Sequence, residues 1–256
     1  MNRSPSNSNQ WFVCPRIKPD EETRLFLFPY AGGGPASFSK WSAELPDNIE
    51  IWIAHYPGRG SRHAEPPITS LTELVDGLIQ AIQPLLDKPF AFFGHSLGGL
   101  IAFELTRRLR QRNLPQPGIL FVSACGSPHI PDPHPPIHRS PEPEFLKSLQ
   151  QLNGIPSELL HQPDVMELVL PILRADFQAM ENYEYISDAP LDCYISAFAG
   201  LNDRRLSQEG LEGWALHTRA GFKTQYFPGD HFFINTARES VIASVIRELE
   251  ISHARN

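Results

Sequence analysis

Phe90-Ala91-Phe92-Phe93-Gly94-His95-Ser96-Leu97-Gly98-Gly99-Leu100-Ile101-Ala102-Phe103-Glu104-Leu105 decides the fold of this chain. Residues 90–93 form a continuous apolar run, the pattern of a strand buried on both faces, and from Leu97 the apolar residues recur at helical spacing. Between the two lies Gly94-x-Ser96-x-Gly98. A strand that becomes a helix within a few residues passes through a strained backbone position, and flanking glycines let neighbouring chain approach where a Cβ would clash. Ser96 at the apex is then lifted off the sheet with its Oγ exposed. The amide of Leu97, in the first helical turn, lacks an intrahelical acceptor and can hold a developing negative charge. The five-residue pattern alone also fits an ordinary Gly-rich turn. The strand before it and the helix after it make it a nucleophile elbow.

Outward from the elbow the same β-α alternation repeats. Residues 24–28 read as a buried strand ended by Pro29, and Pro29-Tyr30-Ala31-Gly32-Gly33-Gly34 is a Gly-rich loop leading to a short helix expected over residues 37–45. That loop is too short for a dinucleotide fingerprint and lacks the Lys of a phosphate loop. It can instead aim the N–H of Ala31 at the nucleophile and complete an oxyanion hole with Leu97; a tight turn without catalytic duty is the plain alternative. Ile49–Ala54 is a further strand. Leu71, Leu74, Val75, Leu78, Ile79, Ile82, Leu85 and Leu86 mark an amphipathic helix, and strands follow at residues 118–124, 191–198 and 223–227 before a closing helix over residues 237–249. The expected fold class is α/β, a mostly parallel sheet flanked by helices.

The rhythm breaks at residues 126–188, where a Pro-rich loop, a helix at residues 143–152 and a longer helical pattern from Val165 to Met180 replace any strand. Pro171 should kink the longer helix or mark a boundary. A helical insertion of this size reads as a lid over the active site, with Phe177 and Met180 as candidate pocket residues.

A chain of 256 residues, 41% of them hydrophobic, can bury one full core. A single domain is expected over residues 11–256, after a disordered polar tail at residues 1–10. The net charge of −7 argues against a nucleic-acid or anionic-membrane binder. No apolar run approaches the length of a membrane span and the polar start lacks the core of a signal peptide, so a cytoplasmic protein is expected. Cys14, Cys125 and Cys193 are odd in number and widely spaced, which fits reduced packing thiols better than disulfides or a zinc site. No metal is expected.

A serine hydroxyl needs a base, and the base an orienter that stabilises the imidazolium. Gly200-Leu201-Asn202-Asp203 lies just past one strand end and Gly229-Asp230-His231 past another. The order Ser96, Asp203, His231 is that of serine hydrolases with this alternation. Among competing acids, Asp192 falls inside an expected strand and Asp230 adjoins the histidine too closely to reach its Nδ1. His129, His134, His138 and His161 fall in the lid and loops and read as solvated.

These residues resemble a family. Phe28-Pro29-Tyr30-Ala31-Gly32-Gly33, Tyr56-Pro57-Gly58-Arg59-Gly60, Gly94-His95-Ser96-Leu97-Gly98-Gly99, Leu173-Arg174-Ala175-Asp176-Phe177, Gly200-x-x-Asp203 and Gly229-x-His231-Phe232 are similar to the motifs of type II thioesterases. These are stand-alone α/β-hydrolases that accompany nonribosomal peptide and polyketide synthases. The resemblance spans roughly residues 11–250. It implies an acyl group on the phosphopantetheine arm of a carrier protein as substrate and the removal of stalled or mis-primed acyl groups as role. It places the triad on Ser96, Asp203 and His231 and the oxyanion donors on Ala31 and Leu97. No cofactor is implied, since the phosphopantetheine belongs to the substrate. A chain-terminating acyl-carrier thioesterase or a carboxylesterase is the alternative on the same scaffold. A non-catalytic carrier-binding module is the alternative of another class, and a strained elbow argues against it. Carrier proteins are typically acidic, so an acidic enzyme, expected as a monomer, needs a local basic rim; Arg59, Arg62, Arg204 and Arg205 are the candidates.

Overall fold

Each continuous apolar run becomes a strand of one seven-stranded sheet in the computed structural model, which describes residues 9–18, 20–152 and 162–253. The strands are β1 (Phe12–Val13), β2 (Thr23–Phe28), β3 (Ile49–Ala54), β4 (Phe90–His95), β5 (Ile119–Ser123), β6 (Tyr194–Gly200) and β7 (Phe222–Phe227). Their order across the sheet is β1-β3-β2-β4-β5-β6-β7. All neighbours pair in parallel except β1, which runs antiparallel to β3 with Phe12 opposite Ala54. Among the described residues the α-helices are α1 (Trp41–Glu44), α2 (Leu71–Ile82), α3 (Leu97–Gln111), α4 (Glu142–Gln151), α5 (Pro163–Glu181), α6 (Gln208–Glu212), α7 (Phe233–Thr236) and α8 (Arg238–His253).

The period of two along the central strands explains why they read as unbroken apolar runs. Phe26, Phe28, Phe90 and Phe92 join α2 and α3 in one core, whereas Leu25, Leu27, Ala91 and Phe93 join Trp41 and the α8 residues Val241 and Val245 in a second core. Phe92 is fully buried and meets Phe26 and Phe28 edge-on, with ring centroids 5.7 and 5.1 Å apart. Each such side chain stabilises the fold by roughly 1.5–3 kcal/mol. β4 therefore lies at the centre of the sheet, and its carboxyl end carries Ser96.

Several elements differ from the sequence reading. Residues 1–8 of the expected tail lie outside the described residues, but Asn9 is anchored: its side chain accepts from the amides of Trp11 and Phe12 and donates to the Ala81 carbonyl at 2.9 Å. The helix expected at residues 37–45 is a 3-10 turn, Pro35–Phe38, followed by the short α1. β6 starts at Tyr194, and Leu191 makes only an isolated bridge to Thr218. Asp192 thus precedes the strand, exposed and paired with Arg219. Pro171 lies inside α5 without ending it.

α4 and α5 occupy the expected lid segment. Phe145, Leu149, Met166, Leu170, Leu173 and Phe177 form a third apolar cluster there, against which Ala31 of the Gly-rich loop packs. The histidines in this region are not simply solvated. His138 is bound through Nδ1 to Glu181 at 2.6 Å, and His129 lies 2.8 Å from the Ser127 hydroxyl and 2.9 Å from His217 Nε2; His161 lies outside the described residues. Arg107 and Arg110 hold the carbonyls of Ile186, Ala189 and Pro190, so the cationic end of α3 fastens the return from the lid to the sheet. Among the described residues no helix is long and apolar enough to cross a membrane, and no group of three potential metal ligands is present.

Candidate active site

Ser96 sits between β4 and α3 with φ 54° and ψ −119°, a backbone conformation that a residue with a Cβ rarely adopts. The glycines around it explain how the chain reaches that conformation. A Cβ on Gly94 would lie 2.1 Å from the Gly98 carbonyl oxygen, and one on Gly98 would lie 1.9 Å from the Phe28 carbonyl oxygen. The elbow is thus pressed onto the end of β2, where the loop carrying Ala31 begins. The Ser96 amide donates to the Ser123 carbonyl at 2.7 Å, which ties the turn to β5.

The acid and the base come from the loops after β6 and β7, the two strands beyond β5. A Cβ on Gly200 would strike the Asp230 carbonyl oxygen at 2.3 Å, and the Asn202 amide donates to the Gly229 carbonyl at 2.9 Å. That close approach brings Asp203 to His231, whose Nδ1 lies 2.9 Å from Asp203 Oδ2. The Asp203 side chain is 1% exposed, and its other oxygen accepts from the Arg205 amide at 2.9 Å. Burial alone would raise the carboxyl, but the hydrogen bond and charge of His231 and the backbone amides of Arg205 and Leu206 outweigh it and hold it below its ordinary pKa. A carboxylate at Nδ1 keeps the ring proton there and leaves the Nε2 lone pair free to accept a proton.

Ser96 and His231 both line a cavity of about 400 Å³, together with Ala31, Leu173, Phe177 and Met180. Phe177 is also packed edge-on against Phe145, so it belongs to the lid core as well as to the cavity wall. The Pro-rich loop from Pro128 to Pro136, part of the lid segment expected from the sequence, lines the cavity as well, although none of its residues was among the pocket candidates. Among the described residues neither the Ala31 nor the Leu97 amide donates to a protein acceptor. An amide without a protein acceptor is what the oxyanion role expected of these two residues requires.

Two of the four candidate docking residues prove to be internal. Arg59 is 6% exposed and makes a bidentate pair with Asp176 of α5, at 2.7 and 2.8 Å, while also donating to the Gly33 carbonyl. Arg62 is 7% exposed, grips Glu65 with Nε and Nη2, donates to the His55 carbonyl and covers the Trp11 ring at 4.5 Å. Charge on a loop suggests a surface role, but both guanidinium groups are buried and paired within the chain, Arg59 with the interior Asp176 and Arg62 with the partly exposed Glu65. Arg205 is half-buried against Asp132 at 3.0 Å, and Arg204 is exposed.

His95 is a further residue that sequence reasoning passed over. It is fully buried beneath the site, with Nδ1 2.8 Å from the Ser123 hydroxyl and its ring centroid 5.5 Å from that of His231. Burial, and then the charge of His231, push its pKa well below the ordinary value, so it remains neutral beside the base. Its place directly before Ser96 in the elbow motif was the available signal.

Comparison with known proteins agrees with this geometry. The thioesterase domain family matches residues 23–249. The gramicidin S biosynthesis protein GrsT of Aneurinibacillus migulanus is 40% identical over 246 residues, covering 96% of this chain and 96% of that protein. Thioesterase PikA5 of Streptomyces venezuelae is 35% identical over 230 residues, 90% of this chain and 82% of its own length. Among solved structures, the type II thioesterase BorB from the borrelidin biosynthetic cluster superposes with a TM-score of 0.86 at 28% identity, covering 93% of this chain and 97% of that one. A mostly parallel sheet with a serine elbow at its centre, matched over nearly its whole length by such relatives, is an α/β-hydrolase fold, and the chain belongs to the type II thioesterases, hydrolases that act on thioesters.

Proposed function

We propose that this thioesterase hydrolyses acyl groups from the phosphopantetheine arm of carrier proteins in a peptide or polyketide synthase, releasing stalled or mis-primed chains. It acts as a cytoplasmic monomer and draws on no metal or organic cofactor of its own. The observation that carries the reading is the hydrogen-bonded pair of His231 and Asp203, which opens into the same cavity as the serine of the strained elbow. A binding module would gain nothing from that strain, which costs on the order of 1–3 kcal/mol.

In the first half-reaction Ser96 Oγ attacks the thioester carbonyl carbon as His231 Nε2 takes its proton. The carbonyl oxygen becomes an oxyanion held by the amides of Ala31 and Leu97. Collapse breaks the C–S bond, and a thiol of pKa about 8.5 leaves readily as thiolate, to be protonated by the imidazolium. Water, deprotonated by the same His231, then attacks the acyl-serine and releases the carboxylic acid. Asp203 keeps the imidazole in the required tautomer throughout. Arg204, exposed and next in sequence to Asp203, is the cation left to meet the acidic carrier.

Carrier proteins loaded with acyl groups of increasing length test this reading, with release of the free pantetheine thiol followed by intact-protein mass spectrometry. The wild type should unload them faster than it hydrolyses simple carboxylic esters, and Ser96→Ala should neither unload them nor accept a serine-reactive phosphonate. A preference for free esters would mark a carboxylesterase, and labelling that persists in the variant would move the nucleophile elsewhere.

A further inference from the structure

The lid helix does more than cover the cavity. Leu173, Asp176, Phe177 and Met180 are spaced so that they share one face of α5. Three of them line the cavity, but the carboxylate of Asp176, fully buried, accepts the amide of Gly32 at 2.7 Å. Gly32 follows Ala31, the amide assigned above to the oxyanion.

Residues 30–33 form a β-turn closed by the Gly33 amide donating to the Tyr30 carbonyl at 2.8 Å. In a planar trans peptide the N–H points opposite to the C=O, so this bond sets the direction of the Ala31 N–H. Gly32 has φ +76°, the signature of the third residue of a type II turn. Types I and II differ by a flip of the central peptide, which here joins Ala31 to Gly32. In the observed turn that peptide presents the Gly32 N–H to Asp176; after a flip it would present the Ala31 carbonyl oxygen to the same carboxylate, a repulsive contact. Both turn forms keep the Gly33–Tyr30 bond, so what the carboxylate fixes is the place of the whole turn, and with it of the Ala31 amide, against the lid helix. Arg59 completes the clamp. It grips both oxygens of Asp176 and donates to the Gly33 carbonyl at 3.1 Å, so one guanidinium fixes the carboxylate and the far end of the turn together.

We propose that Asp176, locked by Arg59, is a positioning residue for catalysis: from the lid helix it holds the turn that aims the Ala31 amide at the oxyanion. The assignment rests on the hydrolase reading above and on Ala31 as a donor. It makes α5 part of the machinery that stabilises the transition state, in addition to forming the wall of the acyl cavity.

A structural bolt and a positioning residue respond differently when the charge pair is replaced as a whole. Removing one partner would strand a buried charge, whereas exchanging both for apolar residues of similar volume is often neutral for stability. Arg59→Met combined with Asp176→Leu should therefore keep the wild-type Tm while leaving the Gly32 amide without its acceptor. The expected result is a fall in kcat of about 10–10²-fold at nearly unchanged KM, with a matching loss of affinity for an acyl boronate, which mimics the tetrahedral oxyanion. Asp176→Asn, which retains one acceptor oxygen, should lie between this variant and the wild type. A folded double variant with kcat within twofold of wild type, or with KM raised and kcat intact, would overturn the assignment. If the double variant does not fold, an unaltered kcat in Asp176→Asn would overturn it equally. A wild type that releases no thiol from acyl-pantetheine would instead refute the hydrolase reading itself.

Discussion

Replacing Gly98 by alanine would put a methyl carbon 1.9 Å from the Phe28 carbonyl oxygen and 2.8 Å from that of Pro29. Contacts of this kind are not met below 3.0 Å, so α3 and the end of β2 must part by at least 3.0 − 1.9 = 1.1 Å. No flexible side chain can absorb that movement, because the obstacle is the backbone of a central strand, with Phe28 paired to Gly94. The displacement falls between the two oxyanion donors: Leu97 directly precedes Gly98, and Ala31 lies three residues beyond Phe28. Misplacement by about 1 Å at a reacting centre costs on the order of 10²-fold, equivalent to about 2.7 kcal/mol of transition-state stabilisation. Overpacking adds a loss of about 1–3 kcal/mol in fold stability. We therefore expect Gly98→Ala to lower kcat/KM for acyl-pantetheine about 10²-fold, measured by the release of free thiol, and to lower the Tm seen by circular dichroism. Gly34→Ala is the control in the neighbouring loop. Its backbone is extended and its new methyl would meet only the Arg59 methylenes at 3.6 Å, an ordinary contact. A Gly98→Ala enzyme within threefold of wild type, with an unchanged Tm, would refute the account of the elbow.

Asp203→Asn should lower kcat by about 10³–10⁴-fold through the wrong imidazole tautomer, whereas Asp192→Asn, which loses only a surface pair with Arg219, should leave kcat unchanged; equal losses would undo the choice of acid. Met180→Ala enlarges the cavity and should raise the ratio of long-chain to acetyl hydrolysis on loaded carriers, and a parallel fall in both rates would make Met180 structural. His217 is pushed down from 6.5 to about 4 by burial, and then by the charges of His129 and Arg107, so between those values the unfolded chain takes up a proton that the folded chain refuses. Stability should therefore fall as the pH drops from 6.5 towards 4. Urea titrations across that range should show a shallower dependence in His217→Gln, and identical slopes would contradict the assignment.

The elbow was readable in the sequence because its constraints are local: a buried strand, two glycines and a helix stand within a dozen residues. Asp203 and His231 were readable because each follows a strand end, where this sheet gathers its functional groups. β1 was not, since two residues carry no periodicity and their pairing with β3 depends on chain some forty residues away. The arginines show the same limit. Nothing near Arg59 announces that its carboxylate stands at position 176, so a residue that reads as surface charge turns out to be clamped inside. The sequence did contain both partners within motif stretches, but contact between two motifs is a tertiary fact.

The lid is inserted between two strands whose pairing is complete without it, from Ile119 opposite Tyr194 to Ser123 opposite Phe198. An insertion hung from a finished sheet is in principle an exchangeable module, and acyl preference could be altered by swapping it between relatives. The buried pair limits that freedom. A transplanted lid without a carboxylate at position 176 would strand the Arg59 guanidinium in the interior, a defect that costs about 3–5 kcal/mol. Positions 59 and 176 should therefore change together or not at all as the enzyme diverges, while Met180, partly buried at the cavity wall, can vary alone.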